Sequence, residues 1–316
     1  MTAAAQSHAP QRFSHEAFLY ASPADFLEGT SAFVRDGLER DQAILVALTG
    51  DRARWMREFF VDEPDVRLVD MAWLGANPAR IIPAWREFLN SNTARGRSVR
   101  GIGEPIWAGR RDAEIAECAQ HESLLNLAFD DGPAWRLLCP YDVSALPRSV
   151  VERARANHPV VVSGGVRSDS ATYEAEAPGR ALRGEPLPQP AGTVTELAFG
   201  PDDLGSVREL VHRSCDAAGV LDAMAEDLTL SVDEIATNSL LHGGGSGVLR
   251  IWVEDAHLVA EVSDAGVIRD QLVGRHEPAL EGLGGRGVWL ANQLCDLVQV
   301  RSGAAGTVVR MHLRIT

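Results

Sequence analysis

The sequence predicts an α/β protein in two parts: a mostly parallel sheet flanked by helices in the N-terminal half, and an α/β sandwich with a mostly antiparallel sheet in the C-terminal half. Three observations lead there. Short apolar runs alternate with helical patterns up to about residue 165, the pattern of strands buried on both faces and joined by helices. A stretch rich in proline and glycine, from Pro178-Gly179-Arg180 to Gly192, then breaks the apolar period and reads as a semi-rigid linker. Beyond it the order becomes strand, two helices, hairpin, loop, helix and two closing strands. A chain of 316 residues is long enough for two domains with separate cores. The expected boundaries are 13–165 for the first domain, 166–192 for the linker and 193–316 for the second.

In the first half the strands expected are Ala43–Leu48, Val66–Met71, Val99–Gly103, Arg136–Cys139 and Val160–Ser163. Helices are expected at Ala24–Glu39, Arg52–Phe60, Ala79–Asn92, Asp112–Phe129 and Pro147–Asn157. In the second half Val194–Phe199 alternates as a strand. Pro201-Asp202-Asp203-Leu204 opens a helix to about Ala218, and Leu221 leads into the helix that carries Glu234. Leu249–Glu254 and His257–Ser263 form a hairpin about Asp255-Ala256. A helix over Gly287–Leu294 and strands Asp296–Ser302 and Thr307–Ile315, joined by Gly303-Ala304-Ala305-Gly306, complete the domain.

Composition excludes several classes of function. With 45% hydrophobic and 23% charged residues the chain reads as globular. It shows no apolar run of transmembrane length and no signal-peptide pattern, so a cytoplasmic protein with no membrane contact is expected. A net charge of −14 argues against direct nucleic-acid binding, which needs clustered positive charge. All 30 basic residues are arginine, which removes any Gly-Lys-Ser/Thr phosphate loop and any Schiff-base lysine. Cys118, Cys139, Cys215 and Cys295 form no Cys-x2-Cys pair, so neither a zinc finger nor a disulfide framework is indicated.

Parallel sheets bind ligands beyond the carboxyl ends of their strands. Here those ends carry Thr49-Gly50-Asp51, Gly103-Glu104-Pro105-Ile106-Trp107 and Cys139-Pro140-Tyr141-Asp142, which makes Glu104, Trp107, Tyr141 and Asp142 the candidates for a sensory pocket. The prolines ending strands, with aromatics packing the rim, would explain the same residues. Cys118 and His121 fall one turn apart, and Cys139 could join them as soft metal ligands; a buried thiol and a satisfied histidine are the plainer reading. His15, the Gly103–Trp107 stretch, the Glu117-Cys118-x2-His121-Glu122-x-Leu124-Leu125-Asn126 helix and the Cys139–Asp142 strand end resemble the MEDS sensory module of bacterial regulators. That resemblance implies a non-catalytic sensing or protein-contact role, with a small-molecule effector.

The second half carries a constellation. Glu234 and Asn238 lie four apart on a helix and so share a face, a spacing that ordinary solvated faces also show. Val232, Ile235 and Ser239 follow the other stripe, and Gly243-Gly244-Gly245 ends the helix. Asp264-Ala265-Gly266 ends a strand, where a carboxylate can accept a hydrogen bond from an exocyclic amine and Gly266 lets a ligand approach. Gly282-Leu283-Gly284-Gly285-Arg286-Gly287 runs into a helix whose first amides suit phosphate. Gly306-Thr307 opens the last strand, with its hydroxyl available to support Asp264.

In this order and at these spacings, the segment from about Thr193 to Thr316 resembles the GHKL ATP-binding fold of histidine kinases, gyrase-type ATPases and anti-sigma-factor serine kinases. The resemblance implies ATP and Mg²⁺ as cofactors. Glu234 would be the general base, Asn238 the Mg²⁺ ligand, and Asp264 the reader of the adenine amine in a pocket shaped by Gly266. Gly282, Gly284, Gly285 and Gly287 would form the lid hinge and phosphate cradle, with Thr307 near the base. The linker leaves no room for a phosphoacceptor-histidine hairpin, the gap from Gly266 to Gly282 is short, and Gly285-Arg286-Gly287-Val288-Trp289-Leu290-Ala291 is worded like the anti-sigma (RsbW-type) branch. Ile268 stands where the first glycine box has its second glycine.

The expectation is therefore a bacterial stress-response transcription regulator. Its C-terminal domain would be an ATP-dependent serine/threonine kinase acting on a STAS-type anti-sigma antagonist, tuned by the N-terminal sensor; a homodimer is compatible with the sequence. The competing expectation is a non-catalytic switch that sequesters a sigma factor or antagonist.

Overall fold

The computed structural model describes residues 12–278 and 286–315. The chain divides into two compact units, Met1–Leu74 with Ala84–Ala177 and Gly75–Pro83 with Pro178–Thr316. No helix among the described residues is long and apolar enough to cross a membrane.

The first unit is built on β1 (Ser14–Tyr20), β2 (Ala43–Leu48), β3 (Val66–Asp70), β4 (Val99–Gly103), β5 (Arg136–Asp142), β6 (Val160–Ser163) and β7 (Val166–Asp169). Its helices are α1 (Pro23–Leu38), α2 (Gly50–Phe59), the single turn α3 (Met71–Leu74), α4 (Ile81–Thr93, of which residues 84–93 belong to this unit), α5 (Asp112–Ala128) and α6 (Arg148–Asn157). The sheet order is β3-β2-β4-β5-β1-β6-β7, parallel throughout except for the edge pair β6–β7. β2 is buried at every position, as its unbroken Ala-Ile-Leu-Val-Ala-Leu run requires of a strand covered on both faces. α1 starts where Ser22 accepts from the Asp25 amide (3.2 Å) ahead of Pro23, and it buries Phe26, Thr30, Phe33, Val34 and Gly37 along one stripe.

Like β7, β1 is a strand that the sequence expectations did not include. It lies between β5 and β6, yet it begins Ser-His-Glu. The polar opening is tolerated because Glu16, fully buried, is held by Arg136 (2.7 and 2.9 Å) and Arg167 (3.1 Å).

The second unit orders β8 (Thr195–Phe199), β9 (Gly247–Glu254), β10 (His257–Asp264), β11 (Leu297–Gly303) and β12 (Gly306–Arg314) as β11-β12-β10-β9-β8, all antiparallel. The β9–β10 turn is the two-residue kind that needs positive φ at both positions, met by Asp255 (47°) and Ala256 (57°). Helices α7 (Leu204–Ala218), α8 (Asp222–His242) and α9 (Arg286–Leu294) cover one face; Val207, Val211, Leu228, Val232 and Ile235 share a core with Leu249, Ala260, Val262, Val309 and Met311.

Two segments depart from the expected layout. Residues 166–192 are not a free linker: 166–169 are strand β7, Leu182 enters the second core, and the Glu185 and Pro188 carbonyls accept from Arg301 (3.2 Å) and Arg310 (2.9 Å). Proline and glycine removed the period without removing the packing. Residues 75–83 belong to the second unit, where Arg80 donates to the carbonyls of Asn292 (2.7 Å), Gln293 (2.9 Å) and Cys295 (2.9 Å) at the end of α9. Asn77 reaches the Asn292 side chain at 3.1 Å, and the Asn292 amide donates to the Gly274 carbonyl at 3.0 Å.

Candidate functional site

The 21-residue helix α8 buries Ala225, Leu228, Val232, Ile235, Ala236 and Ser239, a stripe at spacings of three and four. Glu234 and Asn238 fall on the neighbouring face and stay partly exposed. The helix ends at Gly243, after which Gly244 takes a positive φ (95°), and Gly243 has no space for a larger residue: a Cβ there would run into the Asp264 carboxyl carbon and come within 2.6 Å of the Ser239 carbonyl. The end of β10 therefore packs directly on the end of α8, and the Ala265 amide donates to the Gly243 carbonyl at 3.1 Å.

This contact organises a chain of hydrogen bonds around Asp264. Ser239 Oγ donates to Asp264 Oδ2 at 2.6 Å and the Gly266 amide to Oδ1 at 2.7 Å. Thr307, paired with Asp264 across β10–β12, donates to the Gly266 carbonyl at 2.9 Å and shares a 2.8 Å bond with Ser302. Ser302 in turn accepts from the Ile268 amide at 2.8 Å. Each Asp264 oxygen uses one of its acceptor sites, so the carboxylate is fixed in direction and still able to accept. Gly266 has no room for a Cβ, which would lie 2.6 Å from the His242 carbonyl.

A cleft of about 180 Å³ opens beside this network, walled by Asn238, Asp264, Gly266, Ile268, Val288 and Thr307 among others. Most of its lining is apolar, with a few fixed polar groups, as ligand clefts generally are. Gly287, at the start of α9, packs on the same helix face: a Cβ there would lie 2.5 Å from Asn238 Nδ2 and 3.4 Å from Glu234 Cβ. Asn238, Asp264, Gly266 and Thr307 thus share one cleft wall, and Glu234 and Gly287 adjoin Asn238. Gly282, Gly284 and Gly285 lie outside the described residues. Ser239 and Ser302 escaped sequence reading. The signal for Ser239 was a hydroxyl within an apolar stripe, one turn before the glycines. Ile268, the departure from the glycine box, serves as an apolar wall of the cleft.

In the first unit the sensory candidates separate. Tyr141 is buried and lines a cavity of about 210 Å³ with Ile106, Ala119, Val150, Ala154 and Asn157. Glu104 is buried against Arg52 (2.8 Å); burial, partly opposed by that arginine, raises its carboxyl to about 7. Trp107 stacks under the Arg110 guanidinium at 4.1 Å, and Asp142 is spent on Ser144 (2.6 and 3.0 Å); neither belongs to the cavity wall. The Cys118, His121 and Cys139 set is not assembled. Cys118 donates its thiol to the Pro105 carbonyl (3.2 Å), and burial pushes it up to about 12. His121 is buried elsewhere on α5, and Cys139 Sγ lies 3.4 Å from His15 Nε2 instead. On α5 it is Glu122, the residue after His121, that faces β1 and β5.

Two family models match the chain, one in each half. Residues 14–159 match the family model "MEDS: MEthanogen/methylotroph, DcmR Sensory domain", and residues 197–313 match "Histidine kinase-like ATPase domain". A search of curated proteins gave no match. Similar solved structures include the RsbU and RsbW domains of Rv1364c from Mycobacterium tuberculosis, 18% identical over 38% of this chain and 32% of that chain, with a TM-score of 0.29. Another is the Acinetobacter baumannii histidine kinase AdeS, 9% identical over 39% of this chain and 68% of that one, with a TM-score of 0.23. This chain thus spans about a third of the length of the first, and at these TM-scores the family matches alone carry the assignment. The chain joins an N-terminal MEDS domain to a C-terminal histidine kinase-like ATPase domain.

Proposed function

We propose that the second unit binds ATP with Mg²⁺ in the Asp264 cleft and transfers the γ-phosphoryl group to a serine or threonine hydroxyl of a STAS-type anti-sigma antagonist, under control of the first unit. The observation that carries this reading is the Ser239–Asp264–Gly266–Thr307 network. It holds a carboxylate still on a cleft wall that Asn238 also lines, beside glycines without room for a Cβ.

The residues fit the group. Asp264 retains acceptor capacity for an adenine amine, and the apolar wall of Ile268, Val273 and Val288 suits a base. Asn238 offers an amide oxygen, a hard donor of the kind Mg²⁺ takes singly alongside phosphates and water. The first amides of α9 lie beside Asn238, where the helix start favours negative charge. When bound, Mg²⁺ would neutralise phosphate charge. Glu234, one turn before Asn238, takes the proton of the attacking hydroxyl as its oxygen bonds to the γ-phosphorus and ADP leaves. Such a base contributes about 10² to 10⁴ in rate. Between Ser170 and Gly200 the described residues hold one short 3-10 segment (Pro178–Arg183) and strand β8, so the acceptor in this reading is another protein rather than a histidine of this chain.

Calorimetry with ATP and Mg²⁺, followed by transfer of labelled phosphate to candidate antagonists, tests the reading. Binding with transfer that Glu234→Ala suppresses by 10²-fold or more supports it. Binding without transfer replaces it with the nucleotide-dependent switch that sequesters a sigma factor or antagonist, and no binding leaves only a nucleotide-free binding scaffold. The Tyr141 cavity of the first unit is the proposed effector site, and an effector response unchanged by Tyr141→Ala would remove that assignment.

A further inference from the structure

Four side chains from separate parts of the first unit converge where no ATP chemistry is expected: His15 on β1, Glu122 on α5, Cys139 on β5 and His158 just after α6. Each is at most 1% exposed. One donor atom from each lies within 4.8 Å of all the others. His15 Nε2 is 2.9 Å and His158 Nε2 is 3.1 Å from the same oxygen, Glu122 Oε2, while Cys139 Sγ is 3.4 Å from His15 Nε2. The two imidazole rings stand 3.9 Å apart between centroids.

The hydrogen bonds around the cluster fix where its protons are. Asn126 donates its amide to the carbonyls of Asn157 (2.8 Å) and Ser123 (3.3 Å), which turns its oxygen toward His15 Nδ1 (3.1 Å). His15 Nδ1 must therefore carry hydrogen. His158 Nδ1 faces the Ala154 carbonyl at 2.7 Å, an acceptor only, and must carry hydrogen too. Both neutral rings then aim an Nε2 lone pair at a carboxylate oxygen, acceptor against acceptor. Protonating one ring settles one of these contacts, and protonating both packs two cations at stacking distance in a dry site. Among the described residues Glu122 Oε1 and His158 Nε2, both buried, have no hydrogen-bond partner.

We propose that His15, Glu122, Cys139 and His158 bind one divalent transition-metal ion of the zinc class. A cation at the centre satisfies both Nε2 lone pairs, the carboxylate and the sulfur together. Two imidazoles, a thiolate and a carboxylate form a mixed borderline-soft set suited to Zn²⁺ rather than Mg²⁺ or Ca²⁺. Tetrahedral zinc with bonds of about 2.0–2.3 Å places its donors about 3.3–3.8 Å apart, so the observed spacings need only small side-chain rotations. The outer contacts are those metal-bound histidines have, each ring giving its other N–H to an amide or backbone oxygen. Binding replaces the Cys139 thiol proton, which leaves to buffer, and changes no oxidation state. The thiolate and carboxylate then balance the ion's two charges. Tyr141, whose ring centroid is 5.6 Å from that of His158, sets the cluster beside the 210 Å³ cavity.

The test uses the full chain, stripped with chelator and titrated with Co²⁺ alone. One equivalent should bind, with a sulfur-to-cobalt charge-transfer band and visible bands of tetrahedral intensity, and Zn²⁺ should displace it and raise the melting temperature. Cys139→Ser should remove the charge-transfer band, Cys118→Ser should keep it, and His158→Gln should weaken Zn²⁺ binding by about tenfold or more. A chain that takes up no Co²⁺ and melts at the same temperature with and without Zn²⁺ overturns the proposal, as does a band lost with Cys118 and kept without Cys139. Should a variant fail to fold, the wild-type titration decides alone.

Discussion

Glu122 in the first unit and Asp264 in the second are carboxylates held in opposite ways. Glu122 is fully buried and ringed by two histidines and a thiol. Asp264 is partly exposed, held from behind by Ser239 and the Gly266 amide, with its remaining acceptor capacity on the wall of a 180 Å³ cleft. The first arrangement commits the charge to the fold, and the second directs it outward at a ligand. What separates them is whether the partners surround the carboxylate or only steer it.

Substitution should expose this difference. In the Zn²⁺-loaded protein Glu122→Ala removes one of the four proposed ligands and leaves a buried cation short of an anionic partner, and should cost about 3–5 kcal/mol in urea unfolding. Asp264→Ala should cost only about 1–2 kcal/mol, the loss of two hydrogen bonds, while ATP binding falls below detection by calorimetry. Equal stability losses, or ATP binding retained by Asp264→Ala, would break the comparison.

Acidity gives the next largest effect. The Glu104 carboxyl is raised from 4.5 to about 7, so the folded chain holds its proton more tightly than the unfolded one. The stabilisation this gives is complete below pH 4.5 and is lost as pH rises through about 7, up to about 3 kcal/mol in total. Glu16 runs the other way: burial would raise it, but Arg136 and Arg167 outweigh burial and hold it below 4.5, so its contribution is lost in acid. Urea midpoints at pH 5 and pH 8 should differ in wild type, and Glu104→Gln should flatten the difference; a slope that survives the substitution assigns it to another group.

Gly266→Ala should lower nucleotide affinity at least tenfold and cost about 1–3 kcal/mol, since the new methyl meets the His242 carbonyl. Thermal shift with and without ATP separates the two effects. Smallest is Arg208→Ala, which breaks the exposed 2.8 Å pair with Asp233 on α8 and should change stability by less than about 1 kcal/mol with no effect on ATP.

Legibility followed the kind of partner each residue has. β2 was readable because its burial is purely apolar, whereas β1 was passed over because His15 and Glu16 are buried through partners as remote as Glu122 and Arg136. The fold class and the two-family division were readable from local patterns, strand runs and glycine spacings. Asn238, Asp264, Gly266 and Thr307 were chosen as site residues from motif order and share one cleft wall, while the serines that tie Asp264 and Thr307 in place, Ser239 and Ser302, carry no motif. The metal candidates chosen by helical spacing, Cys118 and His121, were one residue out of phase with Glu122. Long-range convergence of β1, β5, α5 and the residue after α6 leaves no short-range trace.

Arg80 closes the end of α9 from the far side of the sequence. The ribosome therefore makes one piece of the second unit before it has finished the first, and that piece waits for more than two hundred residues of further synthesis to find its partners. A protein cut at Pro178 would leave the carbonyls of Asn292, Gln293 and Cys295 without their guanidinium, and would be expected to fray at the last turn of α9. Here the modular boundary seen in sequence is not a place where the chain can be divided cleanly.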